Sequence, residues 1–153
     1  MTLYESNPSA TLIAMSEAEE DLVRDVFSAY PLVANESREL TKSDGHEDLQ
    51  EDTELLRSSI AEHNQLSRVR LDKWLADPDT FRRIEEQRVL TIKTEDTDWM
   101  LQILNDLRIG SWQQLDCPSQ EELSQVSLNS ETFRPLCTME FSGILQSILL
   151  SQM

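Results

Sequence analysis

The stretch Asp77-Pro78-Asp79-Thr80-Phe81-Arg82-Arg83-Ile84-Glu85-Glu86-Gln87-Arg88-Val89-Leu90-Thr91-Ile92-Lys93 decides whether this chain holds a sheet or only helices. Asp77 is a good helix-capping residue, and Pro78 suits the first position of a helix, where a backbone N–H is not needed. A helix from Pro78 to about Leu90 lines up Phe81, Ile84 and Arg88 along one side. Val89-Leu90-Thr91-Ile92 is briefly strand-like and reads as an extended connection to the next helix. On this reading the chain is all-α.

The segments on either side agree with helices. Upstream, a helical pattern runs from near Asp48 to Ala76 through Leu49, Leu55, Leu56, Ile60, Leu66, Val69, Leu71, Trp74 and Leu75, as one helix or as two broken near His63-Asn64. Downstream, Thr94-Glu95-Asp96-Thr97 offers caps and first-turn acids for a helix carrying Trp99, Met100, Ile103, Leu104 and Leu107. Gly110 is a place for that helix to kink, and Cys117-Pro118 ends it. A short helix follows from about Pro118 to Val126. The last helix, capped by Asn129 or Ser130, carries Phe133, Leu136, Cys137, Phe141, Ile144, Leu145, Ile148 and Leu149 on its apolar face. Near the start, Ser16-Glu17-Ala18-Glu19 fits a capping box and opens a helix with Leu22, Val23, Val26 and Phe27 on one stripe, stopped by Pro31.

Length and glycine content point the same way. The 153 residues suit one domain, 1–153, with one hydrophobic core. Three glycines, against about 7% in an average chain, leave few residues for positive-φ turns, which all-β folds need in number. The fold expected is a compact all-α domain of five to seven helices. Residues 1–15 form an extended arm or short β-hairpin around Asn7-Pro8-Ser9, and residues 32–48 form a polar loop.

The formal charge is −16. That opposes binding to nucleic acid and docking on an anionic membrane, both of which need Lys and Arg. No apolar run approaches the roughly 20 residues that span a bilayer, and the opening MTLYESNPSATLIAMSEAEE lacks the basic start of a secretion signal. A cytoplasmic location is expected. The charge is uneven, because seven of the thirteen basic residues lie between residues 66 and 93: Arg68, Arg70, Lys73, Arg82, Arg83, Arg88 and Lys93. Such an island either pairs with acids elsewhere in the chain or receives an acidic partner.

Residues able to carry chemistry are sparse. His46 and His63 lack metal-ligand spacing to each other or to the two cysteines. Cys117 and Cys137 are too few for a disulfide framework; Cys137 falls on an apolar face and is expected in the core. The carboxylates Glu47, Asp48, Glu51 and Asp52 invite a divalent-metal reading, and a solvated acidic face is the plainer one. No cofactor is expected.

Residues Thr97-Asp98-Trp99-Met100-Leu101-Gln102-Ile103-Leu104-Asn105-Asp106-Leu107-Arg108-Ile109-Gly110 resemble the signature of an uncharacterised bacterial family. It is the domain-of-unknown-function family two thousand and seventeen in the usual series, and its members carry a W-hydrophobic-x-x-L-N-D-L-R-hydrophobic pattern before a glycine-containing turn. Phe81-Arg82-Arg83-Ile84 and the closing Leu145-Gln146-Ser147-Ile148-Leu149 are similar to it as well. The resemblance implies a helical fold and no defined activity. Members of that family are commonly encoded beside ClpS, the adaptor that delivers substrates to the Clp protease, and some are labelled regulators.

The function expected is therefore a non-enzymatic protein-interaction or regulatory role, linked through the resemblance to Clp-type proteolysis. The interaction candidates are Arg82, Arg83, Arg88, Asp106 and Arg108, with a protein partner and a homodimer as the expected associations. The rival readings are a metal-dependent hydrolase built on Glu47, Asp48, Glu51 and Asp52, and an acidic mimic of nucleic acid.

Overall fold

The computed structural model describes residues 1–32 and 47–153, and of residues 47–50 the helical backbone alone. The polar loop expected over 32–48, and His46 within it, lies outside the described residues apart from its two ends.

The all-α expectation is overturned, because Thr80–Lys93 holds no helix. Phe81–Ile84 and Gln87–Lys93 are two strands, β3 and β4, of a tight hairpin. Its turn residues Glu85 and Glu86 sit at φ 49° and φ 70°, both left-handed. Right-handed strand twist selects this two-residue turn, which Asn-Gly normally supplies. Two glutamates accept it here, so the scarcity of glycine was a misleading sign. The run Val89–Ile92, β-branched at all but Leu90, is not a connection but the buried centre of a sheet.

That sheet has four antiparallel strands in the order β1-β2-β4-β3. The first two are Thr2–Ser6 (β1) and Ala10–Met15 (β2). Asn7 forms their turn: its side-chain oxygen accepts from the N–H of Ser9 at 2.9 Å and of Ala10 at 3.0 Å. Every residue of β2 is buried, as a central strand requires. Alternation sends Ile13 and Met15 into the main core with Leu90, Ile92 and Phe81, while Ala10, Leu12 and Val89 form a small apolar cluster on the other face. The pairing of Ile13 with Leu90, and of Leu90 with Phe81, stacks one apolar row across three strands.

Helices cover the core face. α1, Glu17–Ser28, opens as its capping box predicts, with Ser16 Oγ accepting from Glu19 N at 3.1 Å. α2, Glu47–Ala76, is one unbroken helix through His63-Asn64. A short 3₁₀ turn at Thr94–Asp96 leads into α3, Thr97–Gln114. α4, Gln120–Gln125, is capped by Ser119, and α5, Phe133–Ser151, packs along α3. Gly110 does not kink α3. It lies buried where Leu32 crosses, and a Cβ there would come within 2.9 Å of Leu32 Cβ. α3 ends on Asp116 and Cys117 in left-handed conformations, the role glycine usually fills, with Cys117 N donating to Trp112 O at 3.0 Å. Cys137, expected in the core, is only half-buried, and both cysteines are free thiols.

An aromatic chain knits the layers together. Phe27 of α1 meets Trp74 of α2 edge-on at 5.2 Å and Phe141 of α5 at 5.9 Å; Trp74 in turn meets Phe81 of β3 at 6.0 Å and Trp99 of α3 at 6.5 Å. Such pairs add roughly 0.5–1.5 kcal/mol each beyond their burial. They explain why the helices and the sheet share one core.

Candidate functional site

The basic island does not assemble into one patch. Arg88 projects from β4 toward the first turn of α1 and donates through Nε and through Nη2 (2.7 Å) to the Glu20 carboxylate. Arg24, one turn on from Glu20, donates to the same carboxylate at 3.0 Å and stacks its guanidinium 4.1 Å from the centre of the Phe81 ring. Glu20 is buried, and the Arg88 hydrogen bonds hold its carboxyl below the usual range against the opposing effect of burial, while Glu20 raises Arg88. This is a structural clamp between sheet and helix.

Arg68 is likewise committed. It reaches from α2 to the C-terminus of α1 and donates to the carbonyls of Phe27 (2.8 Å), Ser28 (3.2 Å) and Tyr30 (2.7 Å). They cluster where α1 ends, at the negative end of the helix dipole, so a guanidinium caps them well, although Phe27 O also accepts from Tyr30 N at 3.2 Å. Arg70 pairs with Asp96 at 2.6 Å and lies over Trp99 at 4.2 Å. Arg82 and Arg83, neighbours on β3, are both exposed and leave on opposite faces of the sheet. Arg82 borders a shallow concavity with Asp79 and Lys93; Arg83 borders another with Glu17, Glu86 and Arg88.

The candidates on α3 also part company. Arg108 donates to Gln146 Oε1 of α5 at 2.7 Å, and Gln146 Nε2 donates back to Leu101 O at 3.4 Å, so this side chain ties the two helices through an amide. Asp106 faces the other way, toward Tyr30. The Tyr30 hydroxyl lies 3.3 Å from Asn64 Oδ1 and 3.5 Å from Asp106 Oδ2. Desolvation raises the Asp106 carboxyl, with His63 and the tyrosine hydroxyl pulling it down, and desolvation also raises Tyr30. Asp106 as a residue remains exposed. The cluster joins the residue just past α1 to α2 and α3, and the sequence hid it because its other members lie 34 and 76 residues from Tyr30.

Of the proposed metal carboxylates, Glu51 and Asp52 are exposed on α2, and the side chains of Glu47 and Asp48 lie outside the described residues. Among the described residues no three His, Cys, Asp or Glu side chains gather to hold a metal ion. No described helix is long and apolar enough to cross a membrane.

What the fold leaves open is apolar. β1 is an edge strand: all five of its residues are exposed, and it pairs with β2 on one side only among the described residues. A groove runs between it and α5, lined by Leu3 from the strand and by Met139, Gly143, Ile144 and Ile148 from the helix. Leu3 is 42% exposed and Ile144 40%. The groove has a glycine in its wall, since nothing approaches within 4 Å of where a Gly143 Cβ would stand. Sequence periodicity placed Ile144 and Ile148 on the apolar face of the last helix, but only the packing of α5 brings them beside Leu3 at the sheet edge.

Comparison of the chain with protein-family models, with curated proteins and with solved structures yields no match.

Proposed function

We propose that the chain is a protein-interaction module without enzymatic activity of its own, and that it takes an extended segment of a partner protein along the free edge of β1. The observation that carries this reading is a strand edge left unpaired among the described residues, with an apolar groove beside it. A strand edge presents a row of backbone N–H and C=O groups, and an added strand satisfies them. Its alternate side chains then fall into the groove over Gly143 and Ile144, which supplies selectivity. The resemblance of residues 97–110 extends the proposal to a regulatory role beside Clp-type proteolysis, in the cytoplasm.

The test is capture from a native lysate on three immobilised baits: the wild type, a groove variant with Leu3→Asp and Ile144→Asp, and a control with Arg82→Glu and Arg83→Glu. A discrete partner held by the wild type and the arginine control but lost by the groove variant, with slowed amide exchange at Leu3–Ser6 in the complex, supports the reading. A partner held equally by the groove variant, or lost with the arginines instead, sinks it.

A further inference from the structure

A strand laid along β1 has two faces, and β1 fixes what each of them meets. Leu3 stands opposite Ile13 and so belongs to the core face of the sheet. Glu5, past the bulge between the two, stands opposite Leu12 and belongs to the outer face. One set of the added strand's side chains therefore turns toward Leu3 and the groove with Ile144 and Ile148, and the alternate set turns outward beside Glu5.

Both surroundings carry negative charge that nothing neutralises. Glu140 stands in the groove wall one turn before Ile144, and it is exposed, as Glu5 is. Neither carboxylate makes an ion pair or hydrogen bond among the described residues. No Lys, Arg or His lines the groove among those residues, and the Met1 ammonium at its end is held by Glu19 at 2.8 Å. The segments that build this corner contain no Lys or Arg: residues 1–23 hold five carboxylates and residues 135–153 hold one. On the outer face, Arg82 and Lys93 stand opposite Val89 and Ala10, on β3 and β4, with β2 between them and β1. At about 4.8 Å per strand, an added strand lies about 14 Å from β4, beyond the screening length of about 8 Å at physiological salt.

Resting on the strand-addition reading, we propose that the segment taken along β1 is basic as well as apolar. Apolar side chains that enter the groove alternate with Lys or Arg set against Glu5, and a further Lys or Arg reaches Glu140 in the groove wall. An acidic segment would set like charge against like at both carboxylates, and a neutral one would leave them without a counter-charge. The field of a chain with a net charge of −16 also draws a basic segment in and repels an acidic one.

The experiment is selection of a displayed random-peptide library on the immobilised full chain and on two variants, with circular dichroism confirming that each is folded. Leu3→Asp with Ile144→Asp spoils the groove; Glu5→Lys with Glu140→Lys reverses its charge. Peptides enriched on the wild type over the groove variant are expected to alternate apolar residues with Lys or Arg. By fluorescence anisotropy, such a peptide is expected to bind at least about tenfold more tightly than the same peptide with its Lys and Arg replaced by Glu, the gap narrowing as salt is raised. On the charge variant that preference is expected to vanish or invert. Enriched peptides with no excess of Lys and Arg, or an excess that the charge variant retains, overturn this inference and leave strand addition standing. No enrichment on the wild type over the groove variant overturns both.

Discussion

Replacing Glu20 by Gln removes the charge from a carboxylate whose side chain is 8% exposed and which two arginines contact. Breaking a fully buried pair from one side costs about 3–5 kcal/mol, because the remaining charge is left without water or partner. A fully exposed pair contributes about 0–1 kcal/mol. Arg88 is 32% exposed and can partly rehydrate, and the substituted amide still offers an acceptor, so a loss of about 2 kcal/mol follows from those bounds. For a chain of 153 residues that lowers Tm by about 4–8 °C. The pH dependence has a defined sign. Arg88 holds the Glu20 carboxyl below its ordinary value of 4.5, so its contribution is complete above that value and is lost as pH falls through the folded pKa. Melting curves of wild type and variant, followed by circular dichroism, should be well separated at neutral pH and converge on acidification. The paired variant Glu20→Gln with Arg88→Gln should be more stable than the two single losses added together. Equal melting temperatures at pH 7, a gap that acid does not narrow, or strict additivity would each refute the clamp.

Three further predictions test local features. Arg68→Met removes the donor to three carbonyls at the end of α1 and should cost about 1–3 kcal/mol in urea unfolding, with faster amide exchange in the last turn of that helix. Gly110→Ala forces a methyl against Leu32 and should cost about 1–3 kcal/mol, whereas Gly143→Ala, with open space around it, should gain up to about 1 kcal/mol of stability; thermal melts of the pair separate packing from helix propensity. Glu86→Gly relieves a left-handed glutamate at φ 70° and should raise stability by about 0.5–1 kcal/mol without changing the sheet's circular dichroism.

The helices were legible because their cues are local. Ser16 and Glu19 signal the start of α1 within four residues, and Phe141, Leu145 and Leu149 recur at the spacing that puts them on one buried face of α5. The first hairpin of the sheet, Thr2–Ser6 with Ala10–Met15 around Asn7, was one of the two readings that the sequence offered for residues 1–15; the second hairpin was not legible, because its cues were either missing or shared with helices. Arg82-Arg83-Ile84-Glu85-Glu86-Gln87-Arg88 has the composition of a surface helix, and nothing in it announces a turn at two glutamates. Val89–Ile92 is a short apolar run that periodicity cannot assign. What settles it is the match of β4 with Ala10–Met15, nearly eighty residues earlier.

The interaction candidates divide along the same line. The sequence left the basic residues open between internal pairing and an exposed surface; that Arg82 and Arg83 stay exposed, Arg88 is spent on Glu20, Arg108 on Gln146 and Asp106 lies near Tyr30 depends on which elements meet. By itself the sequence determined the start of α1, the acidic surface and the apolar stripes of the helices, since each follows from neighbours a few residues apart; it misplaced the cap of the last helix, which is Thr132 rather than Asn129 or Ser130, and it put a helix at Pro78 where there is none. Only the tertiary structure decided that Phe81–Lys93 joins the first hairpin in a four-stranded sheet, and that the first strand of this sheet has an open edge among the described residues. Those outcomes depend on pairing and burial between distant segments, where the free energy of contact overrides weak local preference.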